Sequence, residues 1–160
     1  MTYLLDSAIK KPQILVTEHS SAQTTSLSAN TAVTITGSEI TYTPHPLSSK
    51  VIYEIGFYGE RKNYIIFQCL TLQEYDGSSW TEINSRFLRN IGNSRTVDQN
   101  ARYFLHYRFV LPTWTGSKQL RLITASSSSG RQIVLHQLSN WDGSAVTDKF
   151  CNTNLLMYSI

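Results

Sequence analysis

Apolar and polar positions alternate with a period of two along most of this chain. From Gly37 to Tyr58 the order is G-S-E-I-T-Y-T-P-H-P-L-S-S-K-V-I-Y-E-I-G-F-Y. Ile40 and Tyr42 alternate with polar neighbours, Pro44 and Pro46 interrupt the ladder, and Val51, Tyr53, Ile55 and Phe57 then line one face. The same pattern predicts strands over Thr31–Thr36, Glu39–Thr43, Val51–Tyr58, Asn63–Tyr75, Trp80–Ile83, Arg102–Leu111, Lys118–Thr124, Gln132–Leu138 and Asn154–Ile160. Turn residues separate them at Ser48-Ser49-Lys50, Gly59-Glu60-Arg61, Asp76-Gly77-Ser78-Ser79, Thr115-Gly116-Ser117, Ser126 to Gly130 and Asp142-Gly143-Ser144. No three-turn helical stripe occurs after residue 12, so the expected fold class is all-β, a jelly-roll β-sandwich over residues 31–160.

Residues 1–30 read differently and are expected to form an extended N-terminal arm. Tyr3, Leu4, Leu5 and Ile9, followed by Ile14, Leu15 and Val16, supply apolar anchors. A polar tract from Ser20 to Asn30 then separates them from the shell. The segment reads either as a frayed terminus with one edge strand or as an arm whose apolar anchors dock onto a partner.

Strand Arg102–Leu111 alternates cleanly, with Tyr103, Leu105, Tyr107, Phe109 and Leu111 on one face and Arg102, His106 and Arg108 on the other. Two strands break the alternation. In Asn63–Tyr75 one face carries Tyr64, Ile66, Leu70 and Leu72 while Ile65, Phe67 and Cys69 make the other face apolar too. The last strand, Leu155-Leu156-Met157-Tyr158-Ser159-Ile160, is apolar on both faces. A sandwich strand buries one face in its own core, so the second apolar face needs another cover. A symmetric neighbour is the simplest, which points to a homo-oligomer with Ile65, Phe67, Leu156, Met157 and Tyr158 at the subunit contact.

Composition narrows the reading. The chain has 160 residues, 41% hydrophobic and 16% charged, which suits one globular domain. No run of about 18 apolar residues is present, so no membrane insertion is expected, and the first residues do not read as a signal peptide. Cys69 and Cys151 are far apart and read as buried free thiols, in keeping with assembly in a reducing cytoplasm.

Enzyme signatures are missing: there is no nucleophile elbow, phosphate loop or His-Glu-x-x-His pattern. His19, His45, His106 and His136 are isolated in sequence, and His106 and His136 are expected to face solvent or a subunit. No catalytic residue, metal or cofactor is therefore predicted. Arg86, Arg89, Arg95, Arg102 and Arg108 are offset only by Asp98. The segment reads either as an ordinary charged loop and sheet surface or, since few aromatics interleave with it, as a contact for an acidic protein surface and not for nucleic acid. Trp80, Trp114 and Trp141 lie in or beside turns, where they would either cap the open ends of the sandwich or stack on a sugar ring.

The phrases I-T-Y-T-P, S-S-K-V-I-Y-E-I-G-F, Y-F-L-H-Y-R-F, W-T-G-S-K-Q-L-R-L and the final L-L-M-Y-S-I together resemble small jelly-roll proteins of tailed-bacteriophage particles. These are trimeric knobs similar to tumour necrosis factor and C1q heads, found as capsid decoration (cement) proteins and at tail-fibre tips. The resemblance spans about residues 31–160 and implies a homotrimer, no enzymatic activity and residence in the virion. The expected partner is a major capsid protein or other virion protein, with Tyr3, Leu4, Leu5, Ile9, Ile14, Val16, Arg86, Arg89 and Arg95 in contact. The alternative is a tail-fibre knob touching host-surface glycan through Trp80, Trp114 and Trp141.

Overall fold

Period-two segments bounded by Gly, Pro and Asp satisfy their backbone groups by pairing with one another. The computed structural model describes residues 12–27, 32–62, 69–86, 102–125, 131–139 and 145–160. Its elements, among the described residues, are antiparallel strands: β1 (Gln13–Thr17), β2 (Gln23–Leu27), β3 (Val33–Thr34), β4 (Ile40–Tyr42), β5 (Lys50–Lys62), β6 (Cys69–Tyr75), β7 (Trp80–Arg86), β8 (Arg102–Pro112), β9 (Lys118–Ala125), β10 (Arg131–Leu135), β11 (Gln137–Ser139), β12 (Ala145–Phe150) and β13 (Thr153–Ser159).

The larger sheet is organised around β5. Strand β8 pairs along one edge, from Lys50↔Pro112 to Glu60↔Arg102. On the other edge β13 covers residues 51–56 and β10 covers residues 59–62, one after the other. β1 then flanks β13, and β2 flanks β10. In the smaller sheet β9 lies between β6, with β7 beyond it, and the pair β3 and β4. β11 and β12 form a separate ladder.

One apolar core fills the space between these sheets, consistent with a β-sandwich. Val51, Tyr53, Ile55, Phe57, Leu105, Phe109, Leu111, Leu155 and Met157 point inward from the larger sheet, and Ile40, Tyr42, Leu70, Leu72, Leu120 and Leu122 from the smaller one. Tyr53 and Phe109 meet edge to face at 6.0 Å, a favoured aromatic geometry. The buried Tyr53 hydroxyl donates to the Ser38 carbonyl at 2.5 Å, and that of Tyr42 to Ser159 Oγ at 3.2 Å. The alternation read in Arg102–Leu111 holds: Leu105, Phe109 and Leu111 are buried, whereas Phe104, His106, Arg108 and Val110 face outward.

The hairpin expected at Asp76-Gly77 also forms. Asp76 Oδ1 accepts the backbone N–H groups of Ser78 and Ser79, each at 2.8 Å, and Gly77 takes a φ of +100°. Those donors hold the Asp76 carboxyl well below the usual carboxylate range.

Two expectations are corrected, and strands form that the sequence pattern did not show. Gly59-Glu60-Arg61 is not a turn but the continuation of β5, because β8 and β10 pair with it on both edges and override a local turn signal. Gln132–Leu138 is not one strand: it breaks at His136, whose φ of +69° turns the chain from β10 into β11. Ala145–Phe150, too polar to stand out, is a strand. The described part of residues 1–30 takes the edge-strand form. Gln13–Thr17 closes the open edge of β13, and Gln23–Leu27, inside the polar tract, closes that of β10. An unpaired strand edge demands partners, and Thr and Ser backbones serve as well as apolar ones.

Gly37 is held where only glycine is comfortable. Its φ is +83°, and an added Cβ would lie 2.9 Å from Thr153 Cβ and 3.0 Å from Thr17 Cβ. Gly37→Ala is expected to cost about 2 kcal/mol through strain and crowding. That lowers the melting temperature by roughly 4–8 °C, a change that calorimetry would read directly.

Candidate functional site

The outer face of the larger sheet concentrates the features a partner could use. Register places Ile14 of β1 beside Leu156 of β13, Leu156 beside Glu54 of β5, and Glu54 beside Arg108 of β8. One strand position on, Val16, Asn154, Gly56 and His106 form the next row, and Tyr158, Ile52 and Val110 form the row on the other side. Four apolar side chains of this face stay largely in solvent: Ile14 at 69%, Val16 at 51%, Phe104 at 58% and Val110 at 53%. Single exposed apolar residues need no explanation, whereas four on one sheet face make it the candidate interaction surface.

Gly56 gives this face its relief. With no side chain there, the Phe104 ring folds over the backbone, so that an added Cβ would come within 2.9 Å of Phe104 Cζ. A shallow groove of about 200 Å³ results, lined by Ile14, Glu54, Gly56, Phe104, His106 and Leu156 among others.

An ionic cluster crosses the same face. Glu54 Oε1 lies 2.9 Å from His106 Nε2, and Glu54 Oε2 lies 3.3 Å from Arg108 Nε. Arg108 also donates to the Tyr158 hydroxyl and lies over that ring. Solvated pairs of this kind contribute little to folding, but they fix the direction of the side chains a partner would meet. The cluster contains no nucleophile activated by a base. Among the described residues, no group of three His, Cys, Asp or Glu is placed to hold a metal ion.

The residues singled out in the sequence divide accordingly. Leu156 and Tyr158 do lie on the outer face. Met157 does not: it is fully enclosed in the core of its own chain, because on β13 it alternates with them. The placement of Met157 at a subunit contact is therefore corrected. Ile14 and Val16 join Leu156 on one surface instead of forming a detached anchor. Arg86 ends β7. Tyr3, Leu4, Leu5, Ile9, Ile65, Phe67, Arg89, Arg95 and Trp141 lie outside the described residues.

The two described tryptophans occupy opposite faces of the smaller sheet. Trp114 packs on the core, edge to face with Tyr42 at 6.4 Å, and its indole N–H donates to the Tyr42 carbonyl at 3.4 Å. Its role is to cap the end of the core. Trp80 faces outward, 5.2 Å from the Tyr75 ring, with the Arg121 guanidinium 4.0 Å above it. They form no shared platform for a sugar.

Sequence reading missed the histidine pair. His136, expected at the surface, is completely buried, and its ring stacks on that of His19 with centroids 3.7 Å apart. Nothing in the local pattern brings together residues so far apart in the chain; only the pairing of β1 and β2 with the larger sheet does so.

No protein-family model matches the chain, and a search of curated proteins finds no match.

Proposed function

We propose that the chain is a non-enzymatic structural protein of a tailed-phage virion: a jelly-roll knob that trimerises through the outer face of its larger sheet and reinforces the capsid exterior. The jelly-roll part is supported by a nested order of pairing. The outermost pair is β1 with β13, then β4 with β9, then β5 with β8, and innermost β6 with β7. A long antiparallel hairpin rolled up on itself pairs its strands in this way.

The observation that carries the oligomer is the set of exposed apolar side chains, Ile14, Val16, Phe104 and Val110, on one sheet face. Covering each large apolar side chain contributes up to about 1.5–3 kcal/mol, and the Glu54–Arg108 cluster beside them offers charges of both signs that can set the register of the contact. Ile14 and Val16 are accordingly assigned to the subunit contact. The basic residues Arg86 to Arg95 remain the sequence candidates for the particle. The virion setting rests on the sequence resemblance. A cement protein acts without covalent chemistry, adding interface across neighbouring capsid subunits so that internal pressure must break more contacts.

Quantitative mass spectrometry of particles carrying the chain tests the reading. A capsid-decorating knob is expected at a copy number comparable to that of the capsid subunit, with particles lacking it losing their genome at a lower temperature. A copy number of a few per particle would favour the tail-fibre alternative. That alternative loses support from Trp80 and Trp114 lying on opposite sheet faces.

A further inference from the structure

His19 and His136 come from two connections far apart in sequence, the link between β1 and β2 and the tight turn between β10 and β11. Their rings lie 7° from parallel. Thr153, at the start of β13, ties both down. Its Oγ1 lies 2.9 Å from His19 Nε2 and 3.3 Å from His136 Nδ1, and it donates its one proton to the Thr36 carbonyl at 3.3 Å. With that proton assigned to the Thr36 carbonyl, the hydroxyl accepts from both rings. The proton of neutral His136 therefore sits on Nδ1, and its Nε2 is left as a buried lone pair with no partner.

Protonation at Nε2 would put an N–H and a charge where nothing among the described residues accepts them, face to face with a second imidazole. The His136 backbone cannot readily move to relieve this. Its N–H donates to the Tyr58 carbonyl at 2.8 Å, and its carbonyl accepts from Cys151 N–H at 2.7 Å. The His19 side can move. It borders a polar cavity of about 320 Å³ lined by Thr17, Glu18, Ser20, Ser21 and Gln23.

We propose that the His19–His136 stack is an acid-released latch that holds the β1–β2 edge of the larger sheet against the rest of the molecule. The surrounding groups agree in sign. Burial, reinforced by the nearby His19 ring, lowers the His136 pKa from 6.5 to about 3, and burial lowers that of His19 as well. Cys151, whose thiol burial pushes up, stays neutral. Glu18 lines the cavity and offers a counter-charge to a His19 ring that has swung out. Among the described residues neither imidazole is hydrogen-bonded to a carboxylate. A pKa lowered in the closed state means that the open state binds more protons. The latch is therefore fully closed above about pH 6.5 and weakens as pH falls toward about 3, the open fraction rising about tenfold per pH unit for His136 alone.

Hydrogen exchange of the intact protein from pH 7.5 to 4.5, corrected for intrinsic amide rates, tests this. Protection of residues 13–17 and 23–27 should fall about tenfold per unit below pH 6.5, while residues 51–57 and 105–111 stay protected. His136→Asn, which tolerates the positive φ, should keep protection at pH 7.5 and lose most of the pH dependence. Should that variant not fold, the wild-type ring signals decide: His136 should be neutral with its proton on Nδ1 at pH 6. Protection of 13–27 independent of pH, an unchanged slope in His136→Asn, parallel loss of protection across β5 and β8, or a charged His136 ring at pH 6 would each overturn the latch.

Discussion

Met157→Asp is expected to abolish folding of the chain itself, not merely its assembly. The side chain is fully enclosed in the core, on a strand that β1 and β5 pair on both sides. The substitution forfeits about 1.5–3 kcal/mol of apolar burial and forces a carboxylate into what is, among the described residues, an apolar core cluster. Unpaired buried polar groups cost about 2–7 kcal/mol, and a charge costs more unless it neutralises. Together these approach or exceed the whole stability of a typical domain, about 5–15 kcal/mol. Far-UV circular dichroism should show loss of strand signal, or the protein should be found only in the insoluble fraction. Met157→Leu, which nearly conserves volume, should remain folded at a cost below about 1.5 kcal/mol. A folded Met157→Asp monomer would mean that this side chain is not in the core.

Ile14→Asp combined with Val110→Asp should do the opposite. Both side chains are more than half exposed in the single chain, so folding should change by no more than about 0.5 kcal/mol at each. In the proposed trimer they face a neighbour, and each subunit would then bury two carboxylates against apolar surface. A penalty of about 3 kcal/mol per contact weakens association at least about a hundredfold. The expected product is a folded monomer with a melting curve independent of the partner. Sedimentation velocity over a dilution series would measure the shift.

The contrast between Met157 and Ile14 shows what was legible in the sequence. Alternation in 102–111 gave the correct inward set of β8, and the Asp76-Gly77 hairpin formed as read, because both depend on interactions within a few residues. The double-sided apolar character of the last strand was also real: Leu155 and Met157 fill the core while Leu156 and Tyr158 face out. Which parity faced inward was not legible, since both sets are apolar and register alone decides. Pairing across distant segments was hidden for the same reason. The polar run at 23–27 carries no apolar stripe, yet it is a strand because β10 leaves an edge open. His136 looked like one member of a continuous strand, and only the joint arrival of β10, β13 and the 18–22 connection buries it against His19.

Static light scattering of the purified chain at micromolar concentration tests the central claim most directly. The account predicts three times the 18.1 kDa chain mass, falling to one chain mass in the Ile14→Asp, Val110→Asp variant. A monodisperse wild-type species of 18.1 kDa at that concentration would contradict it, since the apolar outer face of the larger sheet would then stand uncovered in a stable monomer.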